Sequence, residues 1–267
     1  VNIDGTVIVV TGAGSGIGAE LARRFAAEGA AALVVADLDA GRAAQVAAGI
    51  GERATAAATD VTVEAEVVNL VEAVLQRHGR IDLFCSNAGV ATGVGLQGGA
   101  SADRAWQRAW DVHVMAHVYA ARAVLPAMVQ AGGGYLLNTA SAAGLLSSPG
   151  DAPYTATKHA AVAFAEWLAY HYRASNVRVS VLCPMGVDTP LLRDGLLAGS
   201  PPARAVAASG DVIDVSEVAD AVVAAVTHET FLVLPHRRVG TFWAHKAADI
   251  ERWLEGMSHL AAESGNT

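Results

Sequence analysis

The chain is poor in cross-links, in aromatic rings and in charge. Its 267 residues hold two cysteines, Cys85 and Cys183, far apart and outside any CxxC spacing. That excludes a disulfide framework and a zinc knuckle, and it predicts a reduced, cytoplasmic protein. Aromatic residues are 6% of the chain and charged residues 16%. Positive charge is in deficit: 18 Lys and Arg face 26 Asp and Glu, a net charge of −8. An acidic surface argues against nucleic acid or anionic lipid as the main partner. The first residues, Val-Asn-Ile-Asp-Gly, lack the basic start of a signal peptide. No apolar run reaches the ~20 residues of a membrane helix without glycine, charge or a turn signal, so no membrane partner is expected. Internal repeats, low-complexity segments and interdomain linkers are also missing.

What the chain has is aliphatic bulk. The hydrophobic fraction is 53% and the mean hydropathy +0.35, carried mostly by Ala, Val and Leu. Such a chain buries enough apolar surface to offset its ordering entropy, so disorder is excluded. Small aliphatic residues suit helices packed closely on a sheet.

The patterning alternates strand and helix. β-Branched or apolar runs at Thr6–Val10, Leu33–Ala36, Arg53–Ala58, Ile81–Cys85, Tyr135–Thr139, Val177–Leu182 and Phe231–Leu234 predict seven strands. Helical stretches near Ile17–Glu28, Gly41–Gly49, Val63–Arg77, Asp103–Gln130, Pro153–Ala174 and Ser216–Thr227 separate them. Val67, Leu70, Val71, Val74 and Leu75 recur at the helical period. Pro126 is expected to bend or tighten the end of the long middle helix. Ser216 is a plausible cap for the helix it opens. Together these predict an α/β fold: one Rossmann-like, doubly wound sheet of seven parallel strands in a single domain spanning 1–267. Residues 186–212, rich in Pro and Gly, read as an irregular substrate lid. A tail helix is expected at 240–263.

The chemistry begins between the first strand and first helix. Thr11-Gly12-Ala13-Gly14-Ser15-Gly16-Ile17-Gly18 has the spacing G-xxx-G-x-G. Glycines let backbone turn sharply against a pyrophosphate, and the helix N-terminus adds free N–H groups. Gly12, Ser15, Gly16, Ile17 and Gly18 are the contacts expected there. Asp37 ends the second strand about 20 residues on, where an acid holds the adenosine ribose. A 2′-phosphate beside that carboxylate should cost on the order of 2–3 kcal/mol, or about 100-fold. The sequence puts no Arg or Lys in the loop or beside Asp37, so NAD is expected over NADP. The bland alternative is that Asp37 caps the next helix. Asp60-Val61, after the third strand, is placed to hold the adenine edge or simply to turn the chain. Asn87-Ala88-Gly89, after the fourth, lets a ribose or nicotinamide pass close to backbone.

Ser141 ends the fifth strand, and Tyr154-Thr155-Ala156-Thr157-Lys158 opens the next helix. Tyr and Lys at i and i+4 share a face, ~5–6 Å apart at Cβ. A free Tyr titrates near ~10, too high for a base at neutral pH. An ammonium ~4.5 Å away contributes about 3–4 kcal/mol, or ~2–3 pK units, towards the phenolate. Tyr154 is then able to exchange a proton with an alcohol, Lys158 to tune it and Ser141 to hold the substrate oxygen. Taken alone, Tyr-x-x-x-Lys is a chance spacing; with the other motifs it is not.

In this order and context the motifs resemble the short-chain dehydrogenase/reductase family in its compact form, over roughly Thr6 to Leu234. The resemblance implies an NAD-dependent alcohol dehydrogenase or ketone reductase. It implies Tyr154 as general acid/base, Ser141 as carbonyl polariser and Lys158 as tuner and ribose holder. It places Pro184, Val187 and Thr189 beside the nicotinamide, with Met185 where the family usually has Gly. It also implies a homotetramer or homodimer built on the long middle helices. His113 stands where the family has a catalytic Asn. That Asn works mainly through its backbone carbonyl, which a His keeps, and an imidazole titrating near neutrality is able to join a proton relay. His113 and His117 have metal-ligand spacing, but no third ligand is identifiable and no metal is expected.

Leu96, Leu145, Leu146, Met185, Leu191 and Leu192 are expected to line an apolar substrate pocket, with Leu196, Leu197 and Val206 in the lid. Either these leucines simply pack the lid onto the core, or the substrate is a hydrophobic secondary alcohol or ketone. Arg193 and Arg204 are the candidates to meet an acid group. In the tail, Trp243, Ile250, Trp253, Leu254, Met257 and Leu260 form one apolar stripe, docking on the core, on a neighbouring subunit or along the pocket. Three other readings compete: a non-catalytic NAD(P)-binding regulatory protein, an NADPH-dependent ketoreductase and a nucleotide-sugar epimerase. The intact Ser141, Tyr154 and Lys158 argue against the first. The chain is short for the extra substrate domain of the last.

Overall fold

The computed structural model describes residues 2–93, 99–208 and 212–263. Seven strands form one parallel sheet: β1 (Val7–Thr11), β2 (Ala32–Asp37), β3 (Ala54–Ala58), β4 (Leu83–Ser86), β5 (Gly134–Thr139), β6 (Val177–Leu182) and β7 (Leu232–Val233). Their order is β3-β2-β1-β4-β5-β6-β7. The β-branched runs become strands because both faces are covered, which removes the need for a polar side. In β1, Ile8 and Val10 point into one core and Val7 and Val9 into the other.

Helices supply the two covers. α1 (Gly16–Ala27), α2 (Ala40–Ile50) and α9 (Val215–His228) bury Leu21, Phe25, Val46 and Val222 on one face. α3 (Glu64–His78), α5 (Ala116–Gln130) and α6 (Ala152–His171) bury Leu70, Val74, Val124, Met128 and Leu168 on the other. α4 (Ala100–Trp110) runs into α5 through a π turn at Asp111–Met115. α7 (Pro190–Leu197) and α8 (Pro201–Ala208) follow β6, and α10 (Arg237–Ala248) and α11 (Ile250–Glu263) follow β7. The strand order reverses between β1 and β4, so loops there diverge and leave a crevice at the strands' carboxyl ends.

Several local expectations change. The irregularity of the middle helix is the π turn, while Pro126 lies inside α5, which continues regularly to Gln130. Part of the supposedly irregular lid is two short helices, each opening on proline, which is tolerated at a first turn. Thr189 caps the first of them, accepting from Leu192 N at 3.4 Å. The cap of α9 is Asp214, not Ser216, and it forms a reciprocal box with Glu217. The tail is two helices. They break at Asp249, which is extended and whose carboxylate accepts from Arg252 N at 3.0 Å. Its stripe therefore divides: Trp253 packs on the core, while Trp243, Ile250 and Leu254 are exposed. By length and composition Ala102–Gln130 is apolar enough to cross a membrane. It nevertheless packs on the sheet, with Ala120, Val124 and Met128 in the core.

Candidate active site

The crevice is a cavity of about 1880 Å³. At one end lie Gly12, Ser15, Gly16 and Ile17 of the first turn, with Asp37, Asp60 and Val61 beside them. In the middle are Asn87, Ala88, Gly89, Ser141, Tyr154 and Lys158. Pro184, Met185, Val187, Thr189, Leu191 and Leu192 close the far side. Residues separated by up to 180 positions thus meet where the strand order reverses, the usual ligand position in such sheets.

The first turn needs its glycines for steric reasons. A Cβ on Gly12 would lie 2.7 Å from Ala88 Cα, and one on Gly14 2.9 Å from Asp37 Cγ. Gly16 has φ +53°, and Thr189 stands 3.3 Å from its missing Cβ. Gly18 does not line the cavity. Its Cβ would meet Gly12 O at 2.3 Å, so it lets α1 pack tightly behind the loop. Ser15 opens α1 without making a side-chain cap bond, which leaves its hydroxyl at the cavity. Asn87 fastens the neighbouring turn: its amide donates to Thr11 O at 3.1 Å and Gly12 O at 3.3 Å, and its oxygen accepts from Thr139 Oγ1 at 3.1 Å.

Asp37 also serves the loop. One oxygen accepts from Gly14 N at 2.8 Å and the other from Asp39 N at 2.9 Å. The cap of α2 is Asp39, so the bland reading of Asp37 fails. The fold does bring a cation close, against expectation, because the first turn of α2 folds back on the loop. Arg42 Cβ lies 2.8 Å from the Cβ position of Gly14, and its guanidinium pairs with Asp39 at 3.1 Å. Asp60 turns the chain, accepting from Thr62 N at 2.9 Å and Thr62 Oγ1 at 2.7 Å, while still facing the cavity.

Ser141 caps the short 3-10 turn Ala142–Gly144, accepting from Ala143 N at 3.1 Å. Its hydroxyl donates to Pro184 O at 3.4 Å, and its closeness to the Tyr154 phenol favours the phenolate. Burial acts the other way and is larger, so the phenol stands above its ordinary range. The expected depression by Lys158 does not appear in the protein's own field. Lys158 Nζ lies 5.6 Å from the Tyr154 ring centre and donates to Thr139 O at 3.0 Å. Burial lowers the lysine itself to about 8.

His113 departs most from expectation. It is fully buried and does not line the cavity. Nε2 accepts from Val90 N at 3.1 Å, so the proton sits on Nδ1, 2.9 Å from Thr157 Oγ1. Burial and the nearby Lys158 push it down to about 2. It is a neutral tether and not a titrating relay. The His117 ring, also buried, is pushed down to about 3.

Other assignments move with the packing. Leu145 lies in the core and off the cavity wall, which Leu146 lines. Leu197 points to solvent, Val206 lines the cavity, and Leu96 lies outside the described residues. Arg193 is held by Asp188 at 2.7 Å and Arg204 is exposed, so neither faces the cavity. Met185 is accommodated by a residue that sequence reasoning missed. His236, just after β7, accepts from Met185 N at 3.2 Å and donates to Gly186 O at 3.0 Å. Asp151 was missed too. This buried carboxylate caps α6 through Tyr154 N at 3.0 Å and gathers Thr92 N at 3.0 Å and Gly93 N at 2.7 Å. An Asp just before Pro153 was the available cap signal. Lys246, from the tail, donates to Leu145 O at 2.8 Å and Leu146 O at 3.1 Å.

Comparison with known proteins adds an independent line. A family model described as short chain dehydrogenase matches residues 6–196. The chain is 36% identical over 262 residues to 1-deoxy-11-beta-hydroxypentalenate dehydrogenase of Streptomyces avermitilis, covering 94% of each protein. It is 40% identical over 195 residues to the protein of that name from Streptomyces exfoliatus, covering 71% of this chain and 70% of that one. Among solved structures, a short-chain dehydrogenase/reductase from Burkholderia phymatum in complex with NAD superposes with a TM-score of 0.85. Identity is 31%, over 94% of this chain and 96% of that one. A 3-ketoacyl-(acyl-carrier-protein) reductase from Brucella melitensis complexed with NADH gives 0.76 at 29% identity, over 88% and 99%.

Proposed function

The chain belongs to the short-chain dehydrogenase family, and on that footing we propose that it uses NAD to interconvert a bulky hydrophobic secondary alcohol and its ketone. One observation carries the reading: Ser141, Tyr154 and Lys158 converge on the cavity that also holds the glycine loop and Asp37. The nicotinamide, when bound, supplies the two-electron acceptor for the carbinol carbon.

The chain's own residues do the rest. Gly12, Gly16 and the first turn of α1 bind the pyrophosphate, and Asp37 holds the adenosine ribose. Lys158 and Asn87-Ala88-Gly89 flank the nicotinamide ribose, and Val187 and Thr189 flank its ring. Ser141 donates to the substrate oxygen. Tyr154 takes the hydroxyl proton in oxidation and returns it in reduction. A neutral phenol is set for the reductive direction; oxidation needs the phenolate. NAD and NADH in the two structural neighbours support the cofactor assignment. A hydroxyl-bearing substrate in the names of the Streptomyces relatives supports alcohol oxidation. Leu146, Met185, Leu192 and Val206 on the cavity support an apolar substrate.

Exposed Trp110, Trp167 and Tyr170 on the outer helices support a dimer or tetramer, which light scattering reads directly. The buried thiols of Cys85 and Cys183 suit a reducing compartment.

The test is a titration with NADH and NADPH by nicotinamide fluorescence, followed by an NAD-coupled screen of apolar secondary alcohols with Tyr154→Phe as control. Tight NADH binding with activity lost in Tyr154→Phe is expected. NADPH preference would replace the reading with a biosynthetic ketoreductase. Binding without turnover of any alcohol or ketone would leave a nucleotide-binding regulatory protein.

A further inference from the structure

The tail reaches the reaction cavity. Phe242 of α10 and Trp253, Met257 and Leu260 of α11 line the same space as Ser141 and Tyr154. Two short helices joined at an extended residue need something to hold them there. Phe242 and Trp253 pack against the core. The polar anchor is Lys246, one helical turn after Phe242.

Its ammonium reaches three acceptors from two elements. Leu145 O and Leu146 O, at 2.8 Å and 3.1 Å, end the short turn that Ser141 opens. His159 Nε2, at 3.5 Å, belongs to α6, which also carries Tyr154 and Lys158. That nitrogen is free to accept because His159 Nδ1 donates to Thr155 O at 2.9 Å. A surface lysine keeps its head in water. This one gives all three donors to the back of the active site, and the partial burial this requires lowers its proton affinity. Charge-assisted bonds to backbone carbonyls are among the stronger polar contacts.

We propose that Lys246 is a positioning residue that latches the tail onto the Ser141 turn, and that the wall so fixed makes the pocket select bulky apolar secondary alcohols over small ones. The inference rests on the alcohol-oxidising reading above. On this proposal a small alcohol engages Ser141 and Tyr154 with little help from Phe242, Trp253 or Met257. Only a large apolar body gains from that wall.

The experiment compares cyclohexanol with decahydro-2-naphthol in the parent protein, Lys246→Met and Lys246→Arg. In Lys246→Met, kcat/KM for the bicyclic alcohol should fall by roughly tenfold or more, mainly through KM, the size of effect a lost apolar contact has. Cyclohexanol turnover and NADH affinity should stay near the parent values, and Lys246→Arg should recover much of the preference. A lysine that merely stabilises the fold would lower both alcohols together. Backbone hydrogen exchange provides a second readout: residues 237–248 should exchange faster in Lys246→Met, while the amides of 142–146 keep their parent rates. An unchanged ratio between the alcohols overturns the selectivity claim, and unchanged exchange overturns the latch. If the parent binds NADH but oxidises neither alcohol, the functional reading fails, and the exchange result alone decides the latch. Should Lys246→Met not fold, Phe242→Ala tests the wall by the same ratio.

Discussion

His113 and Thr157 join two parts of the active site through one hydrogen bond of 2.9 Å. The bond has a fixed direction. Val90 N–H donates to Nε2, Nδ1–H donates to the Thr157 hydroxyl, and that hydroxyl donates to Pro153 O at 2.7 Å. The loop after β4 is thereby tied to the first turn of α6. The imidazole edge also meets the Tyr154 ring, with centres 5.3 Å apart at 86°. A neutral imidazole pushed down to about 2 keeps this arrangement across the working pH range.

Breaking that bond should therefore cost both stability and rate. Thr157→Val leaves the buried Nδ1–H without an acceptor, a loss of roughly 1–3 kcal/mol. Urea unfolding measures it. With Tyr154 less well held, kcat should drop while NADH affinity stays near the parent value. Thr157→Ser should restore both. An unchanged kcat in a destabilised Thr157→Val protein would show the tether to be structural only.

Ser141 should control the pH dependence of alcohol oxidation. Its nearby hydroxyl lowers the Tyr154 phenol, while burial raises it. Removing the hydroxyl leaves only the raising influences. In Ser141→Ala the rising limb of the oxidation profile should move to higher pH, and kcat at neutral pH should fall. A profile that keeps its position while losing height would mean that Ser141 acts on the substrate alone.

Lys158 should weaken the fold at neutral pH. Its buried ammonium is lowered from 10.5 to about 8. Below pH 8 the group is charged whether folded or unfolded, and the burial cost is fully present. Between 8 and 10.5 the folded protein sheds the proton first, so stability rises with pH. Lys158→Met should be inactive yet more stable at pH 7 by up to about 3 kcal/mol. The lost bond to Thr139 O offsets part of that gain. Unfolding at pH 7 and near pH 10 should show the advantage shrinking.

Asp37 should set cofactor choice. Its carboxylate faces the cavity, and the nearby Arg42 is engaged by Asp39. Asp37→Ser removes the repulsion on a 2′-phosphate, and the preference for NADH over NADPH should shrink by ~10- to 100-fold. NADH affinity should fall as well, because Gly14 N loses its acceptor. An unchanged ratio of the two affinities would assign the preference to another group.

Much of the architecture was legible because it is local. Period-2 and period-3.6 patterns depend on near neighbours, so all seven strands lie within two residues of their expected ends. The Tyr154 to Lys158 spacing is likewise a property of one helix. The lid helices and the break at Asp249 were harder to read, because short helices carry little periodicity and depend on caps.

By itself, then, the sequence determined the doubly wound sheet, the glycine turn and the placing of Ser141, Tyr154 and Lys158 along the chain, all of which follow from residue order. The proton affinities, the partners of buried polar groups and the walls of the pocket came only with the tertiary structure. By sequence the His113 imidazole was able to join a proton relay; burial and two partners, 23 and 44 residues away, make it a tether. Leu145 and Leu146 differ by one position and both pack in the core, yet only Leu146 also lines the cavity. Lys246 gained its role from carbonyls 101 and 100 residues distant. Desolvation and hydrogen bonding act through space, and only the folded chain brings those atoms together.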